Sequence, residues 1–381
     1  MLVSKVHGKK RRRKIMWIVL GVIVICLIAV CLVVLPPSKG EMTPFLDEEG
    51  NRVEGSVSEK IFIDINDTTL GMFLVAKDET KPVLLFLGGG PGIPEYFLEK
   101  DYPTGLEEEF VVCYLEYRGT SLSYNSKIDA ESMTTKQYIE DVVAVTKYLS
   151  ERFGKEKIYL MGHSFGTYIG LNTVYLHPEL YHAYIAMSQL SNQKESEFLA
   201  YDYMIERYKM AGNMKKVRQF EKYPIKESDE VYEAYFTSML RDSSMHELGI
   251  GTARNMDSVL TGIVLPSLRC SVYSLMERIN IYRGKLFAQN TQVAHDAWNF
   301  NSFDEIKEIQ IPIYFLAGKY DYTCCYSLQK EYYEQIQAPV KGFYTFENSA
   351  HSPLFEEPQR GLEILNSDVK NGTIRLSDTL K

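Results

Sequence analysis

One five-residue pattern constrains this chain more than any other: Gly162-His163-Ser164-Phe165-Gly166 directly follows an apolar run at residues 158–161. An apolar run before the pattern and a helical run after it predict a strand, a sharp turn and a helix. The two glycines lack a Cβ atom, so the turn can tighten and neighbouring backbone can approach closely. The positive N-terminal end of the helix over residues 165–176 then faces the hydroxyl at the apex. The pattern therefore predicts that Ser164 is presented as a nucleophile.

Two residues downstream fit as partners of this serine. A serine hydroxyl needs a base to take its proton, and the base needs an acid to hold its tautomer. The chain order serine, acid, histidine is typical of this strand–turn–helix arrangement. Asp321 and His351 each follow an apolar run, at the sheet edge where α/β proteins place their sites. We therefore predict a triad of Ser164, His351 and Asp321. The substitute acids are Asp304 and Asp296.

A glycine run upstream of the serine is the candidate oxyanion hole. Residues 88–92 read Gly-Gly-Gly-Pro-Gly and follow the apolar run at residues 83–87. Successive glycines leave backbone N–H groups uncovered, and such groups can point at a developing oxyanion. The usual arrangement combines one of them with the N–H of the residue after the nucleophile. We predict that Phe165 and Gly90 supply these donors, with Gly89 as the second choice in the loop.

Taken together, these segments resemble the proline iminopeptidase family of α/β-hydrolases over roughly residues 55–370. The resemblance rests on five motifs, which are Gly88-Gly89-Gly90-Pro91-Gly92, the degenerate Glu116-Tyr117-Arg118-Gly119-Thr120-Ser121-Leu122-Ser123, Gly162 to Gly166, Gly318-Lys319-Tyr320-Asp321 and Ser349-Ala350-His351-Ser352-Pro353. It implies an α/β-hydrolase fold and an enzyme that removes N-terminal residues from peptides.

Two motifs depart from the family pattern. Gly88 stands where the family has histidine, and Glu116 and Tyr117 stand where it has aspartate and glutamine. The predicted catalytic residues are unaffected by these changes, but the specificity is left open. The family binds the free amino group of its substrate through acidic residues, some of which lie in a helical cap over the active site. Glu95 is the first candidate for that role, and the other candidates are Glu195, Glu197 and Glu206.

Composition excludes some other classes of protein. Hydrophobic residues make up 45% and charged residues 24%, values of an ordinary globular protein with a large core. The net charge of −8 includes a strongly basic N-terminus, so the remainder is acidic and a nucleic-acid partner is not expected. The six cysteines show neither zinc-site nor disulfide-framework spacing, and the adjacent Cys324 and Cys325 are interpreted as packing thiols. The predicted chemistry requires no metal and no organic cofactor.

The N-terminal region has the pattern of a membrane anchor. Residues 15–35 form a 21-residue apolar stretch without a charge, and a bilayer core needs about 20 helical residues. The stretch is longer than the core of a cleaved signal peptide, and no small-residue cleavage site follows it. Lysine and arginine dominate residues 9–14 on one flank. We therefore expect residues 1–14 to be a cytoplasmic tail, 36–55 a stalk, and the catalytic domain to lie outside the cell membrane.

Apolar runs and helical patterns alternate through most of the remaining chain. The clearest helical pattern covers residues 135–153, where Tyr138, Val142, Val145 and Leu149 recur at helical spacing. The predicted strands are Ile61–Ile65 and Met72–Ala76 as an antiparallel pair, followed by Val83–Leu87, Phe110–Leu115, Ile158–Met161, Tyr184–Met187, Ile313–Ala317 and Phe343–Phe346 as parallel strands. Alternation of this kind predicts an α/β fold with a mostly parallel central sheet flanked by helices. It stops over residues 189–302, which are predicted to form a helical cap between two parts of the core, 56–188 and 303–381.

These observations favour one function and keep others open. The first hypothesis is a membrane-anchored serine aminopeptidase acting on short peptides. The alternative is a carboxylesterase or lipase-like hydrolase of small esters. A surface receptor built on an inactive hydrolase is a third hypothesis, and the complete set of triad residues disfavours it. Epoxide hydrolases and dehalogenases share this fold but need an aspartate at the elbow, so Ser164 counts against them.

Overall fold

The computed structural model describes residues 16–22 and 35–378, and it is built around one eight-stranded sheet. The strands are β1 (Val57–Ile65), β2 (Thr68–Ala76), β3 (Val83–Leu87), β4 (Val111–Glu116), β5 (Ile158–His163), β6 (Tyr181–Met187), β7 (Ile313–Gly318) and β8 (Lys341–Phe346). Their order across the sheet is β1-β2-β4-β3-β5-β6-β7-β8. β2 pairs antiparallel with both β1 and β4, and every pair from β4 to β8 is parallel. The predicted mostly parallel sheet is therefore confirmed.

Helices cover both faces of the sheet. In the first part of the chain they are α1 (Tyr96–Asp101), α2 (Leu106–Glu109), α3 (Thr135–Phe153) and α4 (Phe165–Leu176), with short 3-10 turns at Ser121–Ser123, Ala130–Ser132 and Pro178–Leu180. After β6 they are α5 (Gln193–Met210), α6 (Met214–Phe220), α7 (Asp229–Phe236), α8 (Met239–Glu247), α9 (Leu265–Arg269, preceded by a π turn at Leu260–Val264), α10 (Leu275–Ala288) and α11 (Gln292–Asn299). The last are α12 (Ser302–Glu305), α13 (Tyr326–Gln335), α14 (Pro353–Glu356) and α15 (Pro358–Ile364, followed by a π turn at Leu365–Val369).

The bounds of α3 show how local sequence sets an element. Thr134 accepts a hydrogen bond from the N–H of Gln137 and so caps the start of the helix. Gly154 ends it in the left-handed conformation, at φ 63°. Between them Val142, Val145 and other apolar residues at helical spacing are fully buried against the sheet. The helix predicted over residues 135–153 is thus found with the same ends.

Residues 189–302 contain helices α5 to α11, and we call this segment the insertion. It has an apolar core of its own, in which Tyr201, Met204, Phe220 and Tyr235 are buried together. A second set of contacts joins the insertion to the sheet, since Tyr273 and Ile281 pack in the core of one sheet face. The insertion is therefore a packed part of the molecule and not a surface loop.

The predicted stalk lies partly against the folded domain. The buried side chain of Arg278 donates a hydrogen bond of 2.6 Å to the Pro36 carbonyl, and Gly40 is buried. Residues 16–22 are helical and exposed. Within residues 16–22 and 35–378 no helix has the length and apolarity needed to cross a bilayer. Most of the predicted membrane segment, residues 15–35, lies outside the described residues.

Glu116, where the family pattern has aspartate, is buried at the end of β4. Its carboxylate accepts hydrogen bonds from the Tyr273 hydroxyl and from the Leu122 N–H. Burial raises the pKa of Glu116 to about 7. Between the ordinary pKa of a glutamate and pH 7, the folded protein then holds a proton that the unfolded chain has lost. Stability contributed by this group consequently falls as the pH rises through that window.

We predict that Glu116→Gln weakens this pH dependence. Between pH 5 and 7, the free energy of unfolding of the variant should fall less steeply than in the parent, by up to roughly 1 kcal/mol per pH unit. Denaturant unfolding at several pH values measures the slope, and the exposed Glu48→Gln serves as the control. A variant with the parent's slope would show that Glu116 does not titrate in this range.

Candidate active site

The turn that carries Ser164 joins β5 directly to α4. Ser164 is the residue before the helix and has φ 53° and ψ −120°, a conformation that non-glycine residues rarely adopt. The main chain on both sides holds it there. The Ser164 N–H donates to the Met187 carbonyl at 3.1 Å, and the Ser164 carbonyl accepts from the Thr167 N–H at 2.8 Å. The serine is thus fixed at the carboxyl edge of the sheet.

Both glycines of the elbow are required by close approach of backbone. A Cβ atom on Gly166 would lie 2.0 Å from the carbonyl oxygen of Leu87 at the end of β3. A Cβ atom on Gly162 would lie 2.5 Å from the carbonyl oxygen of Gly166. No side chain can occupy either position without displacing backbone. The first turn of α4 therefore packs directly against the start of the glycine loop.

Asp321 and His351 meet behind this turn. The His351 Nδ1 lies 3.0 and 3.1 Å from the two carboxylate oxygens of Asp321, and Asp321 is fully buried. The same carboxylate accepts from the N–H groups of Thr323 and Cys324, both at 2.9 Å, and from Gln329 Nε2 at 3.1 Å. The acceptor oxygens of this carboxylate face His351 Nδ1 and favour the tautomer that carries its hydrogen on that nitrogen. The Nε2 of His351 is thereby left free to accept a proton.

The serine itself lies beside the loop that carries the acid. Burial and the charge of Asp321 raise the pKa of the Cys324 thiol far above its ordinary value, and the neighbouring Ser164 hydroxyl opposes that rise. Among the described residues no hydrogen bond joins Ser164 Oγ to His351, a bond that often forms fully only with substrate. The structure therefore pairs His351 with Asp321 directly and places Ser164 next to their loop.

The two predicted loop donors differ in their surroundings. The Gly89 N–H donates a 2.6 Å hydrogen bond to the Glu95 carboxylate, so it is not available to an oxyanion. Within residues 35–378, neither the Gly90 N–H nor the Phe165 N–H donates a hydrogen bond. Gly89 lies close to the nucleophile, because a Cβ atom on it would be 3.2 Å from the Ser164 Cβ. This arrangement favours Gly90 and Phe165 as the donors.

The candidate amine-binding carboxylates occupy three kinds of environment. Glu195 and Glu206 are exposed on α5. Glu197 on the same helix is fully buried and holds the guanidinium of Arg241 through both of its oxygens. Glu95 is buried and lies 2.7 Å from the ring of His163. Both buried carboxylates are therefore already paired with a basic side chain, and the role predicted for Glu95 stays a prediction.

The substitute acids lie away from the histidine. Asp296 on α11 accepts hydrogen bonds from Thr135 and Gln292, and the exposed Asp304 accepts from Asn301. Neither contacts His351 among the described residues.

Sequence reasoning missed several residues that support the site. The hydroxyl of Tyr117 donates to the Gly88 carbonyl at 3.1 Å, so two departures from the family pattern contact one another. Gln329 on α13 donates a hydrogen bond to the Asp321 carboxylate, and the sequence signals it only by its position in the helix after the loop of Asp321. His163 was identified as part of the elbow, but its two hydrogen bonds, to Glu95 and to the His351 carbonyl, join residues far apart in sequence.

Comparison with known proteins agrees with this geometry. Residues 82–358 match the family model described as alpha/beta hydrolase fold. The chain is 30% identical over 298 residues to a Bacillus subtilis (strain 168) protein named probable aminopeptidase YbaC, covering 78% of this chain and 91% of that protein.

Solved structures show the same fold. A proline iminopeptidase from Mycobacterium smegmatis superposes with a TM-score of 0.57 at 13% identity, covering 82% of this chain and 98% of that one. VinJ superposes with a TM-score of 0.56 at 15% identity, covering 83% and 99%.

This chain belongs to the alpha/beta hydrolase fold family, as its motifs predicted. It is an alpha/beta hydrolase whose relatives include a probable aminopeptidase and whose fold is shared with a proline iminopeptidase.

We predict that Asp321→Asn lowers kcat roughly 10⁴-fold while the fold is retained. Two backbone N–H groups will hold the amide oxygen, so the amide nitrogen will face His351. The amide nitrogen replaces the oxygen that lies 3.0 Å from His351 Nδ1, and its hydrogens favour the tautomer with the histidine hydrogen on Nε2. In that tautomer Nε2 cannot accept the serine proton. Steady-state kinetics and circular dichroism measure the two effects. The matched variant Asp304→Asn should retain full activity, and the reverse result would move the acid to Asp304.

Proposed function

We propose that this protein is a serine aminopeptidase of proline iminopeptidase type that removes N-terminal residues from short peptides. The observation that carries the peptidase assignment is the 30% identity to the probable aminopeptidase YbaC over most of both chains. The buried Asp321–His351 pair beside the elbow serine supports hydrolysis by acyl transfer.

The proposed mechanism follows from the positions of these groups. Ser164 Oγ attacks the carbonyl of the scissile bond while His351 Nε2 takes its proton. The Asp321 carboxylate stabilises the imidazolium that results. The N–H groups of Phe165 and Gly90 bind the oxyanion, assisted by the positive end of α4. His351 then protonates the leaving amine, and water releases the acyl group by the same steps in reverse.

A carboxylesterase is the second candidate, and one observation favours it. An aminopeptidase needs a carboxylate for the free amino group, yet Glu197 is paired with Arg241 and Glu95 with His163. A carboxylate that is already paired with a basic side chain attracts the ammonium group of a substrate less strongly than a free carboxylate does. An ester substrate needs no such group.

Hydrolysis of matched substrates distinguishes the two candidates. We predict that the purified full chain cleaves proline, alanine or leucine p-nitroanilide and that acetylation of the substrate amino group lowers kcat/KM at least 100-fold, because amine binding is lost. Short p-nitrophenyl esters are compared in parallel, and Ser164→Ala should abolish all turnover. Cleavage of esters alone would assign a carboxylesterase, and anilide cleavage unaffected by acetylation would contradict the aminopeptidase proposal.

We also propose that residues 15–35 anchor the enzyme in the cell membrane, with the N-terminus in the cytoplasm and the catalytic domain outside. The support is the uncharged apolar stretch with its basic flank on one side. A free amino group on a peptide outside the cell would then reach the site without transport.

Membrane fractionation checks the anchor. The full chain should stay in the membrane pellet after washing with alkaline carbonate, and external protease should digest the catalytic domain of intact cells. A tag on the N-terminus should be protected. Release of the full chain by carbonate would contradict the anchor, and a protected catalytic domain would reverse the orientation.

A further inference from the structure

A buried ion pair lies beside the triad and has no part in the mechanism above. His163, the residue before the nucleophile, is 5% exposed, and Glu95, just after the glycine loop, is 7% exposed. The His163 Nδ1 lies 2.7 Å from Glu95 Oε1, and the same oxygen accepts the Gly89 N–H at 2.6 Å. The carboxylate therefore joins the glycine loop to the elbow.

The other nitrogen of His163 reaches the catalytic histidine. The His163 Nε2 lies 2.7 Å from the backbone carbonyl of His351, which also accepts from the Ser188 hydroxyl at 2.9 Å. Because a carbonyl and a carboxylate are both acceptors, these two contacts favour a hydrogen on each ring nitrogen of His163, which is the imidazolium form. Burial opposes that charge, but the attraction of Glu95 and the hydrogen bonds to Glu95 and the His351 carbonyl outweigh it, and the pKa of His163 is raised.

The charge on His163 acts on the catalytic base as well. The rings of His163 and His351 have centroids 4.9 Å apart. At that distance a positive charge on His163 repels positive charge on the His351 ring, whereas the Asp321 carboxylate attracts it. The next ionisable groups are Glu356, which accepts from the Ala350 N–H, Cys324 in the acid loop, and Tyr117, whose burial keeps it neutral.

We propose that Glu95 and His163 form a positioning ion pair for the triad. The pair fixes the glycine loop and the backbone of His351 against the elbow, and its positive ring opposes positive charge on the His351 ring. It acts through other residues and touches no reacting atom. The proposal depends only on Ser164 being a nucleophile with His351 as its base, so it holds for an aminopeptidase and for an esterase.

The pH profile tests this role more specifically than activity alone. We predict that His163→Gln moves the acid limb of kcat/KM to higher pH by about one unit, since a like charge near His351 is lost. Glu95→Gln should move the acid limb in the same direction and by no more than His163→Gln does. Loss of the Glu95 carboxylate also removes the positive charge that it stabilises on His163. Both variants should also lower the plateau kcat about 10-fold, because the glycine loop is displaced when the pair is lost. The labelling rate of Ser164 by a fluorophosphonate, measured against pH, should follow the same shifts without any assumption about substrate.

Three results would overturn the proposal. The first is an unshifted acid limb in folded Glu95→Gln and His163→Gln, which thermal unfolding would verify as folded. The second is a Glu95→Gln variant with a raised KM for free-amine substrates and an unchanged labelling profile, which would make Glu95 an amine-binding residue instead. The third concerns Glu356, whose pKa burial raises to about 7. Loss of the acid limb in Glu356→Gln would show that the limb reports that group and not His351.

Failure of the proposed function gives a different result. A folded wild-type chain that never reacts with the fluorophosphonate would remove Ser164 as the nucleophile before any shift is measured. If His163→Gln does not fold, Glu95→Gln alone carries the test, because an unshifted profile in that variant is still decisive.

Discussion

The site depends on the contact between the elbow and the end of β3. Two main-chain hydrogen bonds, together with the packing of the first turn of α4 against the Leu87 carbonyl, hold Ser164 in its unfavourable backbone conformation. A residue held at such angles costs of the order of 1–3 kcal/mol, which the surrounding hydrogen bonds and packing must offset. In this conformation the serine projects from the sheet edge at the N-terminus of α4. The glycine at position 166 is therefore a requirement of the chemistry as well as of the fold.

Parallel pairing of the strands brings the remaining groups to that edge. β3, β5, β7 and β8 all end on the same side of the sheet, and each is followed by a loop that carries part of the site. Asp321 belongs to the loop after β7 and His351 to the loop after β8, so their contact at 3.0 Å follows from the pairing of those two strands. Gly318 shows how close these loops are, because a Cβ atom there would lie 1.7 Å from the Ala350 carbonyl.

The sequence was sufficient to predict the strands and helices that local residue patterns determine. All eight predicted strands are present, α3 and α4 have the predicted bounds, and several strands extend by one to four residues beyond their apolar runs. Most of the added residues are polar or small. One example is His163 at the end of β5, which is in a strand because it pairs with β6 and not because of its own propensity. Local residue patterns do not predict the pairings of Glu95 with His163 and of Glu197 with Arg241. Each joins residues many positions apart, so only the folded chain shows that these carboxylates are occupied.

The insertion takes part in positioning the triad, and this limits how it can move. Its Gly251 carbonyl accepts the N–H of His351, and its Ser196 hydroxyl accepts the N–H of Cys325 in the acid loop. Gln193 of the same helix donates to the Thr323 carbonyl, next to the acid. A rigid lid that lifted away from the core would break all of these bonds and release both catalytic loops. A movement of the insertion that keeps Asp321 and His351 in place must therefore leave these hydrogen bonds intact.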